Sequence, residues 1–254
     1  QGRAGTGRAS LLVDTVPDAP YSGPPMDEMR LRQEMCSIGS RLYQRGLVVA
    51  TDGNLSARVA SDALLVTPSG TCKGMMLPED LIVVDLDGNL LAGEGKPSSE
   101  IRMHLAAYRE RPDVMAVVHA HPPTATAFTV AGVTLAQCIM PEVVVSFGAI
   151  LTAPYATPST EAMGDAVRPL VQRADAVLLD LHGALTLGPT LLEAFYRMER
   201  VEWVAQVTLS ARQIGNVRVL PPDEVARLLR MRESMGMRGH VPSCNDCGAC
   251  VPSL

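Results

Sequence analysis

The 254-residue chain is 47% apolar, with few aromatics (three Phe, five Tyr, one Trp), and carries a net charge of −5 without any Lys/Arg run. That is enough apolar material for one large domain or two small ones, with a core of Val, Leu, Ala and Met. The charge pattern excludes the basic stripe that a nucleic-acid backbone demands, and the absence of any 18-residue apolar run excludes a spanning helix.

Residues 1–25 are small, polar and Pro/Gly-rich and read as a disordered extension. Arg3 and Arg8 precede the first acid, Asp14, in the manner of a transit peptide; a flexible tag or docking arm, or an inert extension, are the alternatives. Met26 is a natural start for a folded body over 26–238. Asp27 can cap a helix to about Arg45, with Leu31, Met35, Ile38 and Leu42 on one face and Gly46 placed to end it. The turn-rich Thr51–Ser56 leads into a short strand. Leu64–Thr67 and Leu81–Asp85 read as strands, with Pro68-Ser69-Gly70 as a break and Asp87-Gly88 as a hairpin turn returning through Leu90-Leu91.

Ser98 or Ser99 can cap a helix from about Glu100 to Glu110. Val114–His119 is a buried strand by its apolar run, and Thr124–Ala131 a short helix. Val143–Val145 and Ile150-Leu151 read as short strands, Thr160–Arg173 as a helix, and Ala176–Leu181 as a strand ending at His182-Gly183. Thr190–Arg212 is a long amphipathic helix, and Pro221-Pro222-Asp223 opens a last one to about Met235. The tail, 239–254, is irregular and Cys-rich. The elements predict one three-layer α/β domain with a mixed sheet.

Five histidines are present. His119 and His121 stand two apart at a strand end, so period two puts both rings on one face. His182 ends a second apolar strand. Three imidazoles from two strand ends make a site for catalytic zinc with room for substrate oxygens; surface loop histidines are the plainer alternative. Glu100, at a helix start near the His119/His121 strand, is the best carboxylate to join them as ligand and base, although a glutamate there also suits the helix dipole. His104, one turn on, reads better as a packed or hydrogen-bonded helix-face histidine. Gly53-Asn54, Ser69-Gly70 and Ser98-Ser99 are turn segments rich in donors. Together they can cradle one phosphate without lysine.

TDGNLSAR (51–58), LLVTPSG (64–70), PEDLIVVDLDGN (78–89), KPSSEIRMHLAAYRERPDVMAVVHAHPP (96–123), APYATPST (153–160) and LLDLHGAL (178–185) follow one another in an order and spacing that resembles the class II aldolase/adducin family over roughly Met26 to Arg212. The likeness is greatest to members that cleave L-fuculose 1-phosphate. The resemblance implies a three-layer α/β/α fold on a mixed, largely antiparallel sheet and a cytoplasmic homotetramer with sites between subunits. It implies one Zn2+ on Glu100, His119, His121 and His182, with Glu100 also the catalytic base. It implies a substrate phosphate on Gly53, Asn54, Ser69, Gly70, Ser98 and Ser99. The implied reaction is reversible cleavage of a ketose 1-phosphate to dihydroxyacetone phosphate and an aldehyde such as L-lactaldehyde. Epimerases, phosphosugar-acid decarboxylases, a dehydratase and the non-catalytic adducin head share the family.

Two features depart from that pattern. The tyrosine expected near Met140 is absent, and Met140-Pro141-Glu142 stands there instead; Glu142, or a side chain from a neighbouring subunit, is the candidate second acid/base. Cys244, Cys247 and Cys250 have a spacing that can bind zinc or part of an iron–sulfur cluster with a fourth ligand such as His240. A reduced, thiol-rich terminus is the alternative, and with Cys36, Cys72 and Cys138 free thiols are expected. Only Lys73 and Lys96 are available for Schiff-base chemistry.

Overall fold

The computed structural model describes residues 27–237 and 239–242. The extension 1–25, Met26 as the start of the folded body, and the Cys244/Cys247/Cys250 cluster lie outside the described residues. Asp27 caps α1 (Glu28–Gln44) by accepting the Met29 N–H at 3.1 Å. Gly46, at φ 66°, ends the helix with its N–H on the Tyr43 carbonyl, followed by Leu47 N–H on the Leu42 carbonyl.

Among the described residues eight strands form one sheet, in the order β4-β3-β2-β1-β5-β8-β7-β6. They are β1 (Asn54–Ala60), β2 (Ala63–Val66), β3 (Ile82–Asp85), β4 (Leu90–Ala92), β5 (Ala116–Ala120), β6 (Leu151–Ala153), β7 (Ala176–Leu179) and β8 (Gly183–Gly188). Every neighbouring pair is antiparallel except β6–β7. The sheet is therefore mixed and largely antiparallel, as expected. The helices that follow in chain order are α2 (Ile101–Glu110), α3 (Pro123–Val130), α4 (Pro141–Phe147), α5 (Glu161–Val171), α6 (Leu191–Ile214) and α7 (Pro222–Ser234).

Strand residues alternate between two cores. On one face Leu55, Leu65, Val118 and Leu178 pack with Met35 and Ile38 of α1 and Phe195 and Met198 of α6. On the other, Leu64, Val66, Val117 and Leu185 pack with Met103 and Tyr108 of α2 and Met163 and Val167 of α5. Helices on both faces make the three layers, and each fully buried Leu, Ile or Met contributes about 1.5–3 kcal/mol. Among the described residues no helix is long and apolar enough to cross a membrane.

Three local expectations are corrected. Val143–Val145 is not a strand but the middle of α4: Pro141 suits the first helical turn, Glu142 favours its dipole, and Gly148 at φ 66° stops it. A three-residue apolar run has no period of its own to tell strand from helix. The strand through Leu181 stops at Leu179, and the chain doubles back at once as β8, so His182 lies in a tight turn. Neither Ser98 nor Ser99 is the cap of α2; Glu100 occupies that position with no side-chain cap bond, and the Ser98 hydroxyl accepts the Glu100 N–H at 3.3 Å just outside the helix.

Asp175, immediately before β7, ties several elements together. Its carboxylate, 1% exposed, meets Arg111 at 3.0 Å and Arg197 at 3.1 Å and accepts the His240 N–H at 3.0 Å. Asp175→Ala would leave two buried guanidinium groups without their shared partner, and should cost about 3–5 kcal/mol in urea unfolding; a loss below about 1 kcal/mol would show that the cluster contributes no net stability.

Candidate metal centre and anion cradle

Sheet register assembles the site. Asn54 of β1 pairs with His119 of β5, so both side chains project side by side towards the α2 layer. The other flank of β5 pairs with β8, and the His119 Nδ1–H donates to the Ala184 carbonyl at 2.9 Å. That fixes the tautomer and turns the Nε2 lone pair inward. His121 lies one residue beyond β5, where its N–H bonds the Leu47 carbonyl at 2.9 Å. The next helix, α3, is seated by Glu202 of α6, whose carboxylate accepts the Thr124 and Ala125 N–H groups. His182 enters from the β7–β8 turn, with its N–H on the Leu179 carbonyl at 3.1 Å, next to Leu181 in the left-handed region at φ 55°.

Glu100, at the head of α2, closes the group. One of its oxygens lies 3.0 Å from His182 Nε2 and the other 3.3 Å from His119 Nε2, and the two Nε2 atoms of His119 and His121 are 3.1 Å apart. The four donor atoms all lie within 4.8 Å of one another. Burial and then repulsion from His119 and His182 push the His121 imidazolium down to about 4, so the ring is a neutral donor at pH 7. Burial alone would raise the Glu100 carboxyl; its close polar contacts with His119 and His182 outweigh it and hold the group well below the usual carboxylate range. Three convergent nitrogens and a carboxylate fit a divalent cation, because lone pairs that face one another at such distances need a positive charge between them. Outer partners support two rings: the Ala184 carbonyl for His119, and Asp52, whose carboxylate is 3.6 Å from His121 Nδ1. His182 Nδ1 is buried with no hydrogen-bond partner among the described residues.

Behind Glu100 runs a buried polar chain. Asn54 Nδ2 donates to Glu100 at 2.9 Å and to Ser98 Oγ at 3.2 Å. A carboxylate only accepts, so Asn54 Oδ1 must take its 2.6 Å bond from His104 Nε2–H. His104 Nδ1 is then the acceptor for the Ser56 hydroxyl at 2.6 Å, and Ser56 Oγ accepts from Tyr108 at 2.9 Å. Glu100, His104 and Tyr108 share one face of α2 at four-residue spacing, and Asn54 and Ser56 share one face of β1. His104 is thus the buried, hydrogen-bonded histidine that the sequence suggested.

The cluster opens onto a polar cavity of about 320 Å³. The six residues expected to hold phosphate, Gly53, Asn54, Ser69, Gly70, Ser98 and Ser99, all line it, with Glu100 and His121 at its floor. A bridge between Pro68 and Pro97, and the Ser69 N–H on the Lys96 carbonyl at 2.8 Å, join the two outer loops. Gly53 must be glycine: at φ 73° a Cβ would meet the His119 carbonyl at 2.9 Å and the Val48 side chain at 2.6 Å. A larger cavity, about 420 Å³ around Val133, Leu151 and Asp180, contains none of the clustered donors. Chemistry, not size, assigns the smaller one.

Glu142 is not brought to this cavity. It is exposed in the first turn of α4 and is absent from the cavity lining. Conversely, Asp52 and Lys73 line the cavity and were not expected to. Asp52 sits inside the Thr51–Ser56 turn, where a signal existed; Lys73 follows the Pro68-Ser69-Gly70 break by a few residues, which carries none.

Residues 33–209 match the model of the Class II Aldolase and Adducin N-terminal domain. The chain is 33% identical over 210 residues to the 5-deoxy-D-ribulose 1-phosphate aldolase of Bacillus thuringiensis serovar kurstaki, covering 82% of this chain and 97% of that protein. It is 37% identical over 207 residues to the 3-oxo-tetronate 4-phosphate decarboxylase of Escherichia coli K12, covering 79% and 96%. A solved structure of an L-fuculose 1-phosphate aldolase superposes with a TM-score of 0.76 at 32% identity, covering 83% of this chain and all of that one.

The buried chain makes a pH prediction. Burial, with repulsion from His119, lowers His104 to about 3 from its ordinary 6.5. The unfolded state therefore takes up the proton first. Stability from the neutral ring is fully present above about pH 6.5 and is lost as pH falls towards 3, by up to about 1.4 kcal/mol per pH unit. Urea unfolding of His104→Gln across that window should show a shallower slope than the parent; parallel slopes would mean that acid acts elsewhere.

Proposed function

Because the chain belongs to the class II aldolase and adducin family, we propose that it is a zinc-dependent carbon–carbon lyase that cleaves a ketose 1-phosphate reversibly to dihydroxyacetone phosphate and an aldehyde. The observation that carries this reading is the convergence of Glu100, His119, His121 and His182 within 4.8 Å of one another beside a donor-rich cavity that Glu100 and His121 line. A deoxy-ketose 1-phosphate is the substrate class, supported by relatives named as 5-deoxy-D-ribulose 1-phosphate and L-fuculose phosphate aldolases. With L-fuculose 1-phosphate the aldehyde would be L-lactaldehyde. One aldolase-like domain over 26–238, working as a cytoplasmic homotetramer, belongs to the same reading.

The four clustered residues would hold the ion; when bound, it stabilises the negative charge that builds on the substrate's carbonyl and hydroxyl oxygens as the bond breaks. Gly53, Asn54, Ser69, Gly70, Ser98 and Ser99 hold the phosphate through backbone N–H and side-chain donors. Asn54 holds Glu100 in place from behind. In the cleavage direction the C4 hydroxyl proton leaves to a second acceptor, and the C3–C4 electron pair moves into the enediolate. Glu100, having taken up a proton from solvent once substrate is seated, delivers that proton to C3. We assign the second acceptor to Glu142 or to a side chain from a neighbouring subunit; within one chain Glu142 stands outside the cavity.

A decarboxylase is the second reading, favoured by the 37% identity to 3-oxo-tetronate 4-phosphate decarboxylase. There the departing carbon leaves as carbon dioxide, and the same carboxyl can protonate the carbon left behind. An adducin-like binding module has no use for the complete donor set.

A panel of ketose 1-phosphates with coupled detection of dihydroxyacetone phosphate tests the proposal. Release that chelator abolishes and zinc restores is expected, with Glu100→Gln lowering kcat by about 100-fold or more. Carbon dioxide from 3-oxo-tetronate 4-phosphate instead would move the assignment to the second reading, and neither product would overturn both. Glu142→Gln should reduce turnover about tenfold or more; unchanged turnover would remove Glu142 from the mechanism.

A further inference from the structure

Lys73 is a buried cation to which the reaction above gives no part. It is 2% exposed and lies on the loop between β2 and the 3-10 turn at Pro78–Asp80. That loop is pressed against α1: a Cβ on Gly39 would stand 2.7 Å from the Lys73 carbonyl, so only glycine permits the approach. The ammonium donates to the backbone carbonyls of Thr51 at 2.7 Å and Thr71 at 2.5 Å. Among the described residues it makes no salt bridge with any carboxylate. An ammonium has three N–H donors, and two are placed.

A charge removed from water without an ionic partner is costly. Burial accordingly pulls the Lys73 pKa below its ordinary value, with partial compensation from Cys72, Asp52 and Glu100. Two backbone carbonyls hold the protonated form rather than a free amine, which disfavours Schiff-base chemistry here. Lys73 and Thr51 line the same cavity as Ser69, Gly70 and Ser98. Those donors are neutral, and the cavity's other charged side chains, Asp52 and Glu100, are acidic. The other lysine, Lys96, is exposed.

We propose that Lys73 is a phosphate-binding residue: a fixed, buried cation whose missing ionic partner is the phosphate dianion of the substrate. The inference rests on the phosphosugar reading and adds to it the residue that supplies net positive charge to the cradle. It also replaces the expectation that turn amides and hydroxyls suffice without lysine.

The test titrates inorganic phosphate into the full-length, zinc-loaded protein at constant ionic strength and follows the melting temperature. In the parent, phosphate should raise it in a saturable way. Lys73→Gln keeps a donor for the Thr51 and Thr71 carbonyls but removes the charge, and Lys73→Met removes both. Both should shift the half-saturating phosphate concentration upwards at least about tenfold. No response in the parent would overturn the phosphate cradle and this inference with it. A parent response that Lys73→Gln reproduces at the same concentrations would overturn the role of Lys73 alone, since the residue would then only tie the loops. A second measurement needs no variant at residue 73. With two lysines in the chain, side-chain 15N labelling gives two ammonium signals, assigned through Lys96→Arg. The Lys73 signal should shift along the same phosphate isotherm, and a signal that stays still at saturation would overturn the assignment.

Discussion

The pairing of Asn54 with His119 across β1 and β5 is the constraint on which the site depends. Strand side chains alternate, so a register slip of one residue would turn Leu55 towards α2 and bury Asn54 in the apolar layer beneath α1 and α6. The Asn54 amide has one workable orientation, because the carboxylate of Glu100 needs its NH2 and the ring of His104 needs its oxygen. Strand register, the seating of α2 and the direction of the Glu100 carboxylate are therefore set together. Two chains of bonds meet at that carboxylate: the histidines from the front, and the line from Tyr108 through Ser56 and His104 from behind.

What was legible in the sequence follows from the range over which each signal acts. The spacing of His119 and His121 and the placement of His182 after an apolar strand are local patterns, and the structure brings all three rings to one point beside Glu100. The cap at Asp27, the stop at Gly46 and the hairpin turn at Asp87-Gly88 are equally local, and each stands where its chemistry puts it. The misread elements are those whose local signal is weak. Val143–Val145 is too short to show a period, and the Gly183–Gly188 strand follows its partner so closely that the reversal reads as an ending. Lys73 and the Ser56–His104–Tyr108 line carry almost no local signature, because what matters about them is which distant backbone or hydroxyl they meet. Glu142 was named from an expected tyrosine that is missing; a single chain leaves it exposed and apart from the cavity.

Charge is distributed economically through the interior. Asp175 satisfies Arg111 and Arg197 at once, so three buried ionic groups need no water. Glu202 is spent on two backbone N–H groups at the head of α3. The loop ammonium beside the cavity is met by carbonyl dipoles rather than by an opposite charge, as is the buried Arg58 guanidinium on the Val114, Ser61 and Tyr108 carbonyls. Of the two, Lys73 is the one that lines the cavity.

The strand order has a consequence for how the molecule comes together. β1–β2, β3–β4 and β7–β8 are antiparallel pairs closed by short turns, and the β2–β3 and β6–β7 pairings are closed by longer connections that stay within each half. β5 joins the halves, and its pairings with β1 and β8 span some 60 to 70 residues of chain by loop-closure reckoning. Contacts of that separation are the slow ones to form. The donors stand along this seam: Asn54 and Glu100 arrive with one half, His182 with the other, and His119 and His121 on the strand between. A chain arrested with both halves folded but unjoined would have nearly all its secondary structure and no site, so the late event in folding is also the one that creates the chemistry.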